Sequence, residues 1–225
     1  ENQCKEISNV LENTNFERQR LTTEILEKAR EIAGDSKDNI VFVLGNNWHE
    51  GIIGLVAGKL QEEAYKPVIV ATNNNGEIRG SARSIKGFNI TKALEEHDKY
   101  LERYGGHELA AGFSAKVDTV DEFMLSMKDY ANKKITKEDL MPKLNVEILL
   151  NSEDITSDLV LNLRKLEPLG YGNPKPNICV TNLEVKRKQV MGKDENHMKL
   201  YVKGSGVDYL SLLLFNCNEI GRAHV

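Results

Sequence analysis

The spacing of apolar residues divides the chain into a helical start, an α/β middle and a strand-rich end. Apolar positions recur every three or four residues over 1–13 and again over 16–33, which predicts two successive helices. A continuous apolar run at 40–44 then indicates a strand buried on both faces. The following pattern reads as helix, strand, strand, helix, strand and helix. These elements are placed at 51–65, 67–72, 77–84, 91–101, 110–117 and 120–135.

The last third of the chain carries four strand-like runs and one helical segment. The runs cover 143–150, 178–185, 198–202 and 209–215, and the helix covers 157–165. A small β-barrel suits this pattern, but an OB-fold barrel needs five strands. The sequence therefore predicts a truncated OB-like barrel. A segment rich in proline, glycine and asparagine, LEPLGYGNPKP, predicts an irregular loop within it.

These patterns predict three regions. Residues 1–38 are connector helices, 39–136 an α/β domain with a mixed sheet and flanking helices, and 137–225 the OB-like domain. The chain starts ENQCKEIS, without methionine, so we expect a piece of a longer protein. Its last residues, EIGRAHV at 219–225, back-translate into a run typical of sequencing adapters, and we expect this tail to be non-native.

Composition favours a soluble globular protein with no membrane partner. Hydrophobic residues make up 40% of the chain and charged residues 28%. No apolar run approaches the ~18 residues of a membrane span. Cys4, Cys179 and Cys217 lie far apart and form no CxxC pair, which fits neither a zinc site nor a disulfide framework. A reducing cytoplasm is the location that this cysteine usage predicts.

Charge is distributed unevenly, although the net charge is only −4. Residues 78–94 contain no acidic residue and four basic ones. A second basic cluster, Lys186–Lys188, lies in the last third, where it either follows a DNA backbone or is a solvated strand edge. Because local patches attract polyanions regardless of the total, these two segments are candidate anion sites.

The segment YGGHELAAGFSAK, Tyr104–Lys116, carries the first candidate chemistry. Gly105 and Gly106 have no Cβ, so their backbone can approach a ligand closely. The imidazole of His107 can donate to a phosphate or take up a proton near neutral pH. We predict that this segment begins as a glycine loop between a helix and a strand.

The segment IRGSARSIKG, at 78–87, carries the second. Ser81, Arg83 and Ser84 stand where a strand is predicted to end, and a guanidinium grips phosphate oxygens bidentately while hydroxyls add neutral donors. We expect the two segments to meet at one end of the sheet. Arg83 and His107 would then surround the same phosphate.

Five further residues are weaker candidates. Trp48 either stacks on a base or anchors the core, and the core is the favoured interpretation. His49 either faces the cleft or caps the following helix. Arg79 adds a cation to the acid-free stretch. Tyr171 and Asn173 either bind a strand or belong to a loop pinned by its prolines.

Four segments in this order resemble the C-terminal half of the RecJ family. They are WHEGIIGLVAGKL, GSARSIKG, GGHELAAGFS and EPLGYGNPKP. Residues 39–136 resemble the DHHA1 domain, the last region is similar to the RecJ OB-like domain, and NTNFERQR matches the connector between DHH and DHHA1 domains. The GGH motif alone is shared by many DHHA1 proteins, whereas the series of four is specific to RecJ.

The resemblance implies a function in DNA repair and recombination. RecJ-like enzymes are 5′→3′ single-stranded-DNA exonucleases of the DHH phosphoesterase superfamily, whose DHH domain holds Mn²⁺ or Mg²⁺ on aspartates and histidines. This chain shows no DHH motif, so the resemblance implies no catalytic or metal-binding residue in it and no activity of the chain alone. It implies a monomer that binds single-stranded DNA, with other repair proteins as further partners. By motif position, the residues that hold the substrate are Ser81, Arg83, Ser84, Gly105, Gly106 and His107.

Two other functions remain open from the sequence. One is a DHH-family phosphodiesterase acting on short oligoribonucleotides or cyclic dinucleotides. The other is a non-catalytic RNA-binding module, because alanyl-tRNA synthetases also carry a DHHA1-like unit. The EPLGYGNPKP and WHEGIIG segments favour RecJ over both.

Overall fold

The computed structural model describes residues 2–193, 195–215 and 217, and the chain forms two compact units, Glu1–Pro142 and Lys143–Val225. Among the helices within these residues, none is long and apolar enough to cross a bilayer. The elements of the first unit are α1 (Asn2–Ala33), β1 (Val41–Asn46), α2 (Glu50–Ala64), β2 (Val68–Asn74), β3 (Glu77–Arg83), α3 (Ile90–Glu95), β4 (Leu101–His107), β5 (Ala110–Lys116) and α4 (Val117–Lys134).

The strands of the first unit form one mixed sheet in the order β1-β2-β3-β5-β4. Only β1 and β2 are parallel, and the other neighbours are antiparallel. The mixed α/β architecture is therefore confirmed. The sheet has five strands, however, where the sequence predicted four.

Because of the extra strand, β4, two predictions are wrong. The helix predicted over 91–101 ends at Glu95, and a 3-10 turn at Asp98–Tyr100 leads into β4. The predicted glycine loop is the second half of that strand. Two consecutive glycines have poor strand propensity, so pairing with β5 and not local preference makes this segment extended.

Helices cover both faces of this sheet, and each face has its own core. On one face α1 and α2 pack over β1 and β2, with Val43, Val56 and Val70 fully buried. On the other face α3 and α4 cover the sheet, and Phe113 and Phe123 meet edge to face. Because consecutive strand residues face opposite sides, the register decides which side chains stay outside these cores.

The first helix is continuous, so the prediction of two helices over 1–13 and 16–33 is wrong. No glycine or proline stands near residues 13–16, and the backbone has no reason to break there. Thr14 donates its hydroxyl to the carbonyl of Val10, a bond compatible with an uninterrupted helix. The residues between the two predicted segments therefore lie within one 32-residue helix.

Within its described residues, the second unit contains five strands, not the four that the sequence predicted. Its elements are β6 (Ile148–Asn151), α5 (Ser157–Arg164), β7 (Ile178–Thr181), β8 (Glu184–Met191), β9 (His197–Gly204) and β10 (Val207–Leu214). The strand predicted over 178–185 is broken at Asn182, whose φ of 59° turns the chain between β7 and β8. The strand predicted over 143–150 is shorter, because pairing with β7 begins only at Ile148.

These strands form two separate sheets. β6 and β7 pair in parallel, and β8, β9 and β10 form an antiparallel sheet in the order β10-β9-β8. Across the residues that the structure describes, the two sheets do not join into a closed barrel. The tail predicted to be non-native, 219–225, lies outside the described residues.

Candidate nucleic-acid interface

One face of the first unit's sheet is only half covered. On the side of α1 and α2, the helices pack over β1, β2 and the near side of β3, while β4 is exposed along nearly its whole length and Gly112 of β5 is also exposed. Three cross-strand rows project from this uncovered part, which we call the open face. The rows are Arg79–Ser114–Arg103, Ser81–Gly112–Gly105 and Arg83–Ala110–His107.

The middle row of the open face lacks side chains on two of its three strands. A Cβ placed on Gly105 would meet nothing within 4 Å, and one on Gly112 would only touch the carbonyl of Gly80 at 3.6 Å. The floor between the two outer rows is therefore bare backbone. An extended ligand can approach it more closely than side chains would allow.

The two glycines of the GGH motif have different structural roles. Gly106 has a φ of 154°, and a Cβ on it would lie 2.5 Å from the Cα of Ala111. It faces away from Gly105, against the backbone of β5. Gly106 thus permits the tight β4–β5 hairpin, and Gly105 leaves the open face bare.

Arg83 lies where the open face meets α2. Its Nη1 donates to the hydroxyl of Ser81 at 3.3 Å and to the carbonyl of Ala82 at 2.9 Å. A Cβ on Gly54 of α2 would stand 3.3 Å from its Nη2 and 3.1 Å from the Ser81 hydroxyl. The absence of a side chain at Gly54 therefore gives this guanidinium its place against the helix.

The guanidinium of Arg83 also lines a cavity of about 710 Å³ between α1 and α2. Arg18 of α1 and Lys59 of α2 line it too, and Glu62 is the acidic residue on its wall. The cavity thus combines three cations with one anion, a balance that suits an anionic ligand. Arg18 belongs to the NTNFERQR segment, so a signal was present in the sequence, but its side chain was not among the predicted site residues.

His107 stands at the exposed end of β4, and its carbonyl accepts a hydrogen bond from the Thr91 hydroxyl at 2.7 Å. It shares a row and a sheet face with Arg83, because both residues pair with Ala110. Two strand spacings separate them, or about 10 Å between backbones. Ala110 lies between them in the row.

The opposite row supplies two more cations, Arg79 and Arg103, beside a cavity of about 330 Å³ that Glu50 of α2 also lines. Arg79 pairs with Glu77 through Nη2, and among the described residues its buried Nε has no hydrogen-bond partner. Ser114 stands between the two arginines in the row. Sequence analysis missed Arg103 and Ser114 because it did not predict β4, which brings them into register.

The other predicted residues of the first unit do not belong to the three rows of the open face. Ser84 is 7% exposed, and its hydroxyl donates to the carbonyl of Phe88 at 2.6 Å, inside the protein. Trp48 is 8% exposed and packs in the α1/α2 core, with its ring over Gly45. His49 caps α2, because its Nδ1 accepts from the backbone N–H of Gly51.

The predicted residues of the second unit lie in its proline-rich loop and on β8. The side chain of Asn173 donates to the carbonyls of Leu166 and Pro168, which holds the proline-rich loop together, and Tyr171 is fully exposed. The basic run Lys186–Lys188 lies on β8, so its side chains do not share one face.

A metal site would need several ligating side chains together. Among residues 2–193, 195–215 and 217, no group of three or more His, Cys, Asp or Glu side chains is arranged to hold an ion. The described residues therefore do not fit the metal pair that the resemblance implies for a DHH domain.

Comparison with known proteins identifies two family domains in the chain and several relatives. Residues 37–133 match the DHHA1 domain and residues 146–223 match the RecJ OB domain. The chain is 30% identical to the single-stranded-DNA-specific exonuclease RecJ of Bacillus subtilis, over 97% of this chain and 28% of that protein. It is 29% identical to the Thermus thermophilus protein of the same name, over 74% of this chain and 24% of that one.

A solved structure agrees with these matches. The crystal structure of RecJ from Thermus thermophilus in complex with Mn²⁺ superimposes with a TM-score of 0.78 and 25% identity. The match covers 94% of this chain and 30% of that one. The chain thus spans less than a third of the length of these relatives.

Proposed function

Because this chain belongs to the RecJ family, whose DHHA1 and OB domains it carries in order, we propose that it is the substrate-binding part of a single-stranded-DNA exonuclease. The open face holds the phosphate backbone of the unpaired strand. The observation that carries this proposal is the bare Gly105–Gly112 floor between two rows that each contain arginine.

The geometry of the rows fits an extended polyanion. Adjacent rows are two residues apart along each strand, or about 6.6 Å. Arg83 and His107 stand in one outer row, and Arg79 and Arg103 in the other. A chain lying across the floor would meet cations at both outer rows without a side chain blocking it between them. Guanidinium groups are suited to this task because they bind phosphate oxygens in pairs.

The cavity between α1 and α2 is suited to the phosphorylated end of the DNA strand. A terminal phosphate monoester carries about −1.5 to −2 charges near pH 7, more than an internal phosphodiester. Arg18, Lys59 and Arg83 concentrate positive charge there. Since Arg83 belongs both to this cavity and to the open face, we place a 5′-phosphate in the cavity and the following nucleotides on the floor.

The chain's own residues bind and orient the strand in this proposal, and no bond-breaking step is assigned to them. Relatives have been solved with Mn²⁺ or Mg²⁺, ions that activate water and stabilise a leaving oxygen when bound. The contribution of the open face is to fix the scissile bond in position, which lowers the entropic cost of the reaction.

The test measures binding of a 5′-phosphorylated oligothymidylate by fluorescence anisotropy at several salt concentrations. We expect affinity to fall linearly with salt on a logarithmic plot. Arg83→Ala and Arg18→Ala should each weaken binding about tenfold, and more for the phosphorylated oligonucleotide than for its unphosphorylated twin. Arg20→Ala is the matched control, because Arg20 pairs with Glu17 and Glu24 on the surface of α1.

Two outcomes would count against the proposal. Unchanged affinity in both the Arg83 and Arg18 variants would remove the cavity and the open face from DNA binding. Tighter binding of structured tRNA than of single-stranded DNA by the unaltered chain would favour the RNA-binding alternative instead.

A further inference from the structure

The second unit presents two tyrosine rings and two cations on one face of its antiparallel sheet. The rings of Tyr201 on β9 and Tyr209 on β10 lie 5.2 Å apart, with their planes 35° from parallel. The Arg187 guanidinium and the Lys199 ammonium lie 5.6 and 5.1 Å from the centre of the Tyr201 ring. We call these four residues the tyrosine platform.

The register shows why these side chains converge. Arg187 pairs directly with Tyr201, so both project from the same face, and Ser211 completes the row on β10. Lys188 pairs with Leu200 and projects from the opposite face. Of the basic run at 186–188, Arg187 is therefore the residue placed over a ring.

The opposite face of the same sheet is the buried one. Met198 and Val202 are 3% and 2% exposed, and apolar residues of β10 pair beside them. The platform side carries Tyr201, Lys199 and Gln189, whose side-chain oxygen accepts a hydrogen bond from the Tyr201 hydroxyl at 2.9 Å. Tyr209 on that side is 67% exposed. The platform thus faces solvent, and the hydrogen bond to Gln189 orients the Tyr201 ring.

We propose that the tyrosine platform is a base-stacking site for single-stranded DNA. An unpaired base stacks on the open ring of Tyr209, and its flanking phosphates meet Arg187 and Lys199. Exposed aromatic rings flanked by cations bind unpaired strands with little regard to sequence, because every base has a π-face. This inference rests on the proposed function, because its ligand is the same single-stranded DNA. The tyrosine platform contacts the bases of that DNA, whereas the open face contacts its phosphates.

The test compares oligothymidylate with an abasic strand of equal length, using the full chain. Tyr209→Ala should weaken binding of oligothymidylate about tenfold (~1.4 kcal/mol) and leave the abasic strand unaffected. Tyr209→Phe keeps the ring and should bind as the unaltered chain does. Arg187→Ala should weaken binding of both strands, because it contacts phosphate.

A second measurement does not depend on the variants folding. Photocrosslinking of a 5-iododeoxyuridine oligonucleotide to the unaltered chain should label Tyr209 or Tyr201. Labelling elsewhere only, or equal losses for thymidylate and abasic strands in Tyr209→Ala, overturns the platform. Failure of the open face is distinct, because it appears as unchanged binding in Arg83→Ala while the tyrosine variants still lose affinity.

Discussion

At the scale of single residues, the GGH motif contains one glycine for the fold and one for the surface. Gly106 lies against the β5 backbone with a φ that other residues rarely adopt, while Gly105 borders empty space. The motif reads as one unit in the sequence, but its residues alternate between the two faces of a strand. Substitutions at the two positions should therefore have different consequences.

We expect Gly106→Ala to destabilise the first unit by about 1–3 kcal/mol, because it adds a clash and a strained backbone. Gly105→Ala should leave the melting temperature nearly unchanged and weaken single-stranded-DNA binding several-fold, because its methyl group raises the bare floor. Thermal unfolding and anisotropy on both variants check this. Equal loss of stability in both would contradict the division of roles.

At the scale of elements, the sheet is tied to α4 by a polar contact beside β1. Asp38, just ahead of β1, accepts a hydrogen bond from the Asn132 side chain at 3.0 Å and lies 3.4 Å from the ammonium of Lys128. The Asn132 oxygen in turn accepts from the backbone N–H of Asn39 at 2.7 Å. The bond from Asn132, aided by Lys128, holds the pKa of Asp38 below its ordinary value.

This contact predicts a pH-dependent contribution to stability. A lowered folded-state pKa stabilises the fold above the unfolded-state pKa of about 3.9, and the contribution is lost as pH falls through the folded-state value. Asp38→Asn, which resembles the protonated acid, should reduce the free energy of unfolding by about 0.2–1 kcal/mol at pH 7. Melting curves of the variant and the unaltered chain should converge as pH falls below the folded-state pKa of Asp38, and a constant difference would contradict the assignment.

The elements also show how far the sequence alone reaches. β1 and β2 were predictable, because continuous apolar runs have few alternatives inside an α/β domain. β4 was not, because Gly105 and Gly106 favour no regular structure and the strand exists through its pairing with β5. The placement of Arg83 and His107 at one end of the sheet could be predicted from the sequence, whereas Arg103 and Ser114 enter the open face only through the register.

At the scale of the whole molecule, the chain consists of two compact units. The first contains the match to the DHHA1 domain, and the second contains the match to the RecJ OB domain. Residues 141–147, around the boundary between the units, are exposed and belong to no helix or strand. Leu144 is 78% exposed. The first hydrogen bonds that this segment makes to the rest of the second unit are at Asn145, whose carbonyl accepts from the Asn177 side chain, and at Glu147, which donates to the carbonyl of Asn177. The segment before Asn145 is therefore where we expect a protease to cut.

We expect limited digestion with trypsin to cut first after Lys143, because an exposed segment without regular structure fits a protease active site. Mass spectrometry should detect a fragment ending at Lys143 and its C-terminal complement before any cut within β1–β5. Circular dichroism of the purified first fragment should show a cooperative melt. Early cleavage inside the five-stranded sheet would contradict the division into units.

The five-stranded sheet ends at β4, and this position has a practical consequence. A terminal strand offers half of its main-chain amides and carbonyls to any other extended segment. Gly105 provides no bulk on one side of it to discourage such an addition. We therefore expect concentrated preparations of this chain to self-associate edge to edge, and a lysine substitution on the outer side of β4 should improve solubility.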